Sequence, residues 1–278
     1  MARRSVLFAP GDQPELLANA QQSGADVTVF DLEDAVAPDH KPAAREHVAD
    51  VFEGSEAACE RCVRVNPVGA GAREDLAAVL GADRQPDSLL LPKVGSPEDV
   101  HALADLLAER TASLPVLALV ETAAGVLHAE AIATTAETDA IVLGAEDLTA
   151  DIGATRTAGN GEISYARQHV VLAAGVAGVD AIDTLYTAYE DLAGLRVETA
   201  TARDLGFDGK LAIHPAQVPV INDAFTPDAE AVAWARRVVA ASEEHGDGVF
   251  SLDGEMIDAP LVAQAETVLD RARESPDE

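Results

Sequence analysis

Two acids and an arginine, Glu121, Asp147 and Arg64, are the side chains of this sequence best placed to do chemistry. Glu121 closes the apolar run VLALVET (116–122), and Asp147 closes the next one, AIVLGAED (140–147). Two hard oxygen ligands on adjacent runs, with the remaining positions left to water and substrate, describe a Mg²⁺ site. Each also has a plainer reading: Asp147 could cap the turn LTADIG, and Glu121 could sit in the first turn of a helix. Arg64 lies inside RCVRVNP (61–67), apolar around it, and burying an arginine is costly unless an anion meets it. Its planar fork suits a substrate carboxylate, and a salt bridge to Glu33 or Asp34 is equally compatible with the sequence. Those two acids could also hold metal-bound waters. His214, before Pro215, reads either as a substrate contact or as a satisfied structural histidine.

These residues belong to a longer pattern. Eight short apolar runs, SVLFAPG (5–11), VTVFDLED (27–34), RCVRVNP (61–67), SLLLPKV (88–94), VLALVET (116–122), AIVLGAED (140–147), DAIDTLY (180–186) and GKLAIHP (209–215), each end in polar or turn residues. Helix-length amphipathic stretches such as 15–25, 97–110 and 165–178 separate them. Runs of this kind fit parallel strands covered on both faces, and alternation with helices implies βαβ units. Eight units predict an α/β fold, a TIM (β/α)8 barrel, whose chemistry sits at the C-terminal ends of its strands. Asp31, Glu33, Asp34, Arg64, Lys93, Glu121, Asp147 and His214 thereby converge on one mouth. The barrel is expected over 1–225. The remainder, 226–278, reads as a C-terminal helical extension: a helix at 227–246, a glycine-bearing loop at 247–260 and a last helix, suited to a lid or a subunit contact.

Composition narrows the setting. Against 49 Asp and Glu stand 19 Lys and Arg, a net charge of −30 that excludes the basic footprint needed for nucleic acid or anionic membranes. No apolar run approaches a membrane span or a signal peptide, so a cytoplasmic location is expected. Cys59 and Cys62 form a lone C-x2-C and read as free thiols. The only lysines are Lys41, Lys93 and Lys210, each read as either a ligand contact or a structural ion pair. A surface so acidic and so poor in lysine points to a halophile's enzyme, with an acidic mesophilic protein as the alternative.

There is no P-loop, no dinucleotide fingerprint and no Ser-His-Asp arrangement assembled by spacing. What remains is metal-assisted chemistry on a carboxylated substrate. RSVLFAPG, DLEDAVAPDHKPAAR, RVNP, LPKV, ETAAGV, GAEDLTADIGATR, GFDGKLAIHP and GEMIDAP, in this order, resemble the motif series of the citrate lyase β-subunit-like (HpcH/HpaI aldolase/citrate lyase) family, which includes malyl-CoA and citramalyl-CoA lyases. The resemblance implies a Mg²⁺-dependent barrel that cleaves, or in reverse condenses, a 3-hydroxyacyl-CoA to acetyl-CoA plus glyoxylate or pyruvate. It implies Glu121 and Asp147 on the metal and Arg64 on the carboxylate of the 2-oxo acid. Lys93, Glu33 and Asp34 would stand at the mouth, and Asp258 of GEMIDAP would be supplied by the lid as catalytic acid or base, commonly onto a neighbouring subunit of a homotrimer or hexamer. A citryl-CoA-cleaving subunit of a citrate lyase complex, a CoA-independent pyruvate aldolase and a catalytically silent assembly subunit are the alternatives. The sequence departs from the family in its first helix, PELLANA (14–20), where no basic residue is present and Asn19 stands near a usual lysine.

Self-repulsion of so negative a surface is screened as the Debye length shrinks to about 3 Å at 1 M salt. The melting temperature is therefore expected to rise between about 0.1 M and molar KCl; a flat or falling trend in calorimetry would remove the halophile reading.

Overall fold

The computed structural model describes residues 2–53, 58–81, 85–246 and 248–274. Eight parallel strands close into a barrel in sequence order, the last pairing back onto the first: β1 Ser5–Pro10, β2 Val27–Asp31, β3 Glu60–Arg64, β4 Ser88–Leu91, β5 Val116–Val120, β6 Thr138–Leu143, β7 Asp180–Asp183 and β8 Gly209–Ala212. The helices are α1 Pro14–Ala20, α2 Lys41–Glu53, α3 Ala72–Val79, α4 Pro97–Ala108, α5 Ala123–Leu127, α6 Ala129–Ala133, α7 Ala145–Asp151, α8 Ser164–Ala177, α9 Leu192–Leu205, α10 Val218–Phe225, α11 Ala229–His245 and α12 Ala259–Glu274. Every run read as a strand is one, but the polar tails of the runs are loop. This corrects the expectation that Asp147 ends a strand. β6 stops at Leu143, Gly144 breaks it, and Asp147 lies in the first turn of α7, where an acid is favoured by the exposed N–H groups.

Local chemistry accounts for the helices. α4 starts at Ser96 with Pro97 at its first position and a capping box closed by Asp99, and it buries Val100, Leu103, Leu106 and Leu107 along one stripe. α9 starts where Asp191 accepts the Gly194 N–H at 2.9 Å and ends at Gly206, whose φ of 101° closes the last turn.

Period-two alternation sorts the strand side chains into two cores. Val6, Val27, Val29, Cys62, Leu90, Leu117, Leu119, Ala140, Val142, Ile182 and Leu211 fill the barrel interior. Their neighbours, such as Leu7, Phe30, Val63, Leu89, Ala118 and Ile141, pack beneath the helices. Continuing the interior rows by two residues places Asp31, Arg64 and Glu121 at the C-terminal rim. At the opposite end the floor is closed by Arg3, which donates to Glu60 (2.7 Å), Asp180 (3.0 Å) and Asp139 (2.5 Å), while Ser88 donates to the same Glu60. Cys59 and Cys62 are both buried free thiols, and burial pushes the Cys62 thiol well up.

On the helix-facing side Lys210 is fully buried. Its Nζ donates to Asp183 at 2.7 Å, the carboxylate that also takes Nε and NH2 of buried Arg167. Lys210 is thus a structural ion-pair residue. Beyond β8, α11, the pair β9 Phe250–Leu252 and β10 Glu255–Ile257, and α12 build a small core of their own around Ala235, Val238, Phe250, Ile257 and Ala265. The loop expected at 247–260 therefore contains a hairpin; Asp253 and Gly254, at φ 51° and 90°, supply the two left-handed residues of its tight turn. Residue 247 lies outside the described residues. Arg271 of α12 donates to the Phe207 carbonyl and to Asp208, just before β8. Among the described residues no helix is long and apolar enough to cross a membrane.

Asp183→Asn leaves Lys210 and Arg167 buried, with Glu198 at 3.8 Å from Lys210 as the remaining acid. Denaturant unfolding is expected to show a loss of about 3–5 kcal/mol, whereas Arg73→Ala, which breaks an exposed pair with Glu109, changes nothing measurable.

Candidate active site

Arg64 reaches the rim from β3 and is met by Asp31 at the end of β2. Its Nε donates to Oδ1 at 2.7 Å and its NH2 to Oδ2 at 2.5 Å, NH1 stands 3.3 Å from Glu33, and the guanidinium lies 5.1 Å from the Phe8 ring centroid. Burial works against the charge of Arg64, but the Asp31 hydrogen bonds and the nearby acids outweigh it and raise its pKa. The salt-bridge alternative read from the sequence is present, with Asp31 as the main partner. Asp31 was legible only as one of the converging acids; its place two residues after Val29 on an interior row is the signal that pairs it with Arg64. Asp31 also accepts the backbone N–H groups of Glu33 (2.8 Å) and Ala35 (3.2 Å), which folds the loop after β2 back over the mouth.

That fold presents Glu33 and Asp34 to Lys93, whose Nζ lies 2.5 Å from Glu33 and 3.1 Å from Asp34. Burial pushes the Glu33 carboxyl up against the pull of Lys93 and Arg64. For Asp34 burial acts in the same sense, but its hydrogen bonds with Glu33 and Lys93 prevail and hold it below the usual range. Lys93 loses some charge stability to burial and regains more from its two acids, so its pKa is raised.

Glu121 follows β5 and is almost fully buried; its Oε1 accepts the Lys93 backbone N–H at 2.8 Å. It lies flat against Gly144 at the end of β6, where a Cβ would stand 2.7 Å from both Cβ and Oε2 of Glu121, so only glycine admits it. Gly144 carried no signal in the sequence. Burial, then the charge of neighbouring Asp147, push Glu121 up to about 8. A cation held beside Glu121 would favour its ionised form, and the all-oxygen pair with Asp147 fits Mg²⁺. No group of three or more metal-binding side chains occurs among the described residues.

Asn66, unread in the sequence, braces the rim: its Nδ2 donates to the Leu32 carbonyl (2.9 Å) and to Asp75 (2.8 Å), and its Oδ1 takes the Lys41 ammonium. Lys41 is thus bound to the brace, and Lys93 is the lysine at the mouth. His214 is exposed and caps the turn Pro215–Gln217, its Nδ1 accepting the Ala216 N–H at 3.1 Å and its ring stacking on Tyr189. No described hydrogen bond joins it to Arg64, Lys93 or Glu121. Asp258 stands at the start of α12 with Oδ1 3.3 Å from the Leu261 N–H, and no described hydrogen bond or ion pair connects it with the mouth of its own barrel. α1 carries no cation, in keeping with its sequence.

The arrangement can bind a divalent cation beside a carboxylate held by arginine, which is the equipment for polarising a 2-oxo or 2-hydroxy acid. The HpcH/HpaI aldolase/citrate lyase family model matches residues 4–215, and that of C-C bond lyases of the TIM-barrel fold matches 162–274. The human mitochondrial citramalyl-CoA lyase is 38% identical over 289 residues, 96% of this chain and 84% of that protein. A (3S)-malyl-CoA thioesterase of Cereibacter sphaeroides is 37% identical over 274 residues, 97% and 94% of the two chains. The crystal structure of CitE from Mycobacterium tuberculosis in complex with magnesium, acetoacetate and coenzyme A superposes with a TM-score of 0.84 at 39% identity, covering 98% of this chain and 99% of that one.

Proposed function

The chain belongs to the HpcH/HpaI aldolase/citrate lyase family, and from that membership we propose that it cleaves, or in reverse condenses, a 3-hydroxyacyl-CoA of the citramalyl or malyl type. It is a carbon–carbon lyase, its metal is Mg²⁺ and its substrate a coenzyme A thioester. The observation that carries the reading is the juxtaposition, on one rim, of the Glu121–Asp147 pair and the Asp31-braced Arg64.

Glu121 and Asp147 would hold the metal, which when bound supplies Lewis-acid polarisation of the substrate's oxygen atoms. Arg64 would take the carboxylate of the departing glyoxylate or pyruvate. Its Nε–NH2 edge is committed to Asp31 and its NH1 lies 3.3 Å from Glu33, so the guanidinium is already oriented before a ligand arrives. Glu33, Asp34 and Lys93 would order water and the hydroxyl side of the substrate, with His214 at the outer rim. The acyl-CoA fragment leaves as an enolate that needs a proton from a positioned acid. Asp258, reaching from the extension (226–278) of one subunit to the barrel (1–225) of another, would take the proton of the substrate hydroxyl as the carbon–carbon bond breaks and return it to the enolate carbon. Two observations support that route: Asp258 has no described link to its own mouth, and Val249 and Met256 beside it are exposed apolar side chains. A homotrimer or hexamer in a salt-rich cytoplasm completes this reading.

The first test is a thioester panel with Mg²⁺ in molar KCl. Citramalyl- or malyl-CoA should yield a 2-oxo acid and a shorter acyl-CoA, and Glu121→Ala or Asp147→Ala should abolish the yield with the fold retained. Release of free CoA and the intact hydroxy acid would identify a thioesterase instead, and near-normal activity of either variant at limiting Mg²⁺ would overturn the metal assignment. A second test separates proton transfer from helix capping, because asparagine caps about as well as aspartate. Asp258→Asn should unfold like the wild type and lose roughly 10²–10⁴-fold in turnover; unchanged turnover would return Asp258 to a cap.

A further inference from the structure

At the rim the pairing of β4 with β5 slips by one residue. Leu91 stands opposite Ala118, so an unbroken parallel ladder would deliver the Lys93 N–H to the Leu119 carbonyl. Val94 makes that bond instead, at 3.2 Å. The extra residue is absorbed by Lys93 in the left-handed region, φ 56°, a costly conformation for a residue with a Cβ, and by Pro92, which has no N–H to leave unpaired. Such bulges redirect polar groups at barrel rims. Here the slip frees the Lys93 N–H from the ladder and turns it onto Glu121 Oε1 at 2.8 Å, while Nζ of the same residue meets Glu33 and Asp34.

We propose that the Pro92–Lys93 bulge is a positioning device with two separable parts: the left-handed backbone of Lys93 aims Glu121 at the metal, and its ammonium sets Glu33 beside Arg64. The inference rests on the magnesium reading of Glu121 and Asp147. It makes Lys93 a residue that acts through its main chain on the metal side and through its side chain on the Arg64 side. Backbone outliers held by their surroundings at a functional rim commonly serve this kind of preorganisation.

Two substitutions separate the parts. Glycine adopts φ near +56° freely but has no ammonium, whereas isoleucine resists that conformation and lacks the ammonium as well. Titration calorimetry with MgCl₂ alone, without thioester, is expected to show K93G binding Mg²⁺ as tightly as the wild type, and K93I binding it about 10–100-fold more weakly. Turnover should fall in both. Equal Mg²⁺ affinity of K93I and the wild type, or equal weakening of K93G and K93I, overturns the proposal. If far-UV circular dichroism shows K93I unfolded, K93G decides alone: a loss of Mg²⁺ binding as large as that of E121A overturns it, and retained binding with reduced turnover upholds it. Wild-type protein that takes up no Mg²⁺ overturns the magnesium reading and this inference together, a result distinct from all of these.

Discussion

A closed parallel barrel admits a charge near its axis only where the charge brings a partner, and at this rim the partnership is Arg64 with Asp31. Hydrogen bonds to charged groups contribute about 1.5–3 kcal/mol each, and an unpartnered buried charge costs more than that. Asp31 accepts four of them, two from Arg64 and two from the backbone of the following loop. The same carboxylate that makes Arg64 affordable therefore shapes the turn that carries Glu33 and Asp34. From Glu33 the connection passes through Lys93 to Glu121, so the substrate-facing and metal-facing halves of the mouth form one hydrogen-bonded arc.

Some of the chain's few cations stand where solvent scarcely reaches, whereas others, such as Arg73 and Arg273, are exposed. Arg3 closes the floor, Arg167 and Lys210 meet Asp183 between barrel and helices, and Arg64 stands at the rim. Salt acts on the exposed acids through screening and acts far less on these pairs, which sit within the protein's low dielectric. The acidic surface and the ion pairs that hold the active site therefore answer differently to added salt.

The barrel was legible because strands buried on both faces read as continuous apolar runs, and eight of them leave few alternative folds. Strand ends were less so: Asp147 sits on the turn of a helix, because Gly144 stops β6 four residues earlier than the run suggested. The hairpin at 250–257 carried a usable signal, Asp253-Gly254 between short apolar segments, which the glycines around it obscured. Gly144 and the Lys93 bulge were not legible at all. A glycine that makes room for a neighbour's carboxylate, and a one-residue slip between two strands, are facts about pairs of segments, whereas LPKV and GAED describe one segment each. Asp258 is the opposite case: its motif was plain in the sequence, while within a single chain it only caps a helix.

The floor of the barrel bears on how this chain is made. Arg3 contacts Glu60, Asp139 and Asp180, at sequence separations of 57, 136 and 177 residues. Arg3 precedes all three acids in the chain, and the last of them, Asp180, is synthesised 177 residues after it. Contacts of such span are slow to form because their loop-closure entropy comes due before they stabilise anything. Half-built barrels on the ribosome thus carry an arginine and an acidic strand end still seeking each other, and the order of synthesis, more than any single strand, sets when the bottom of the molecule can close.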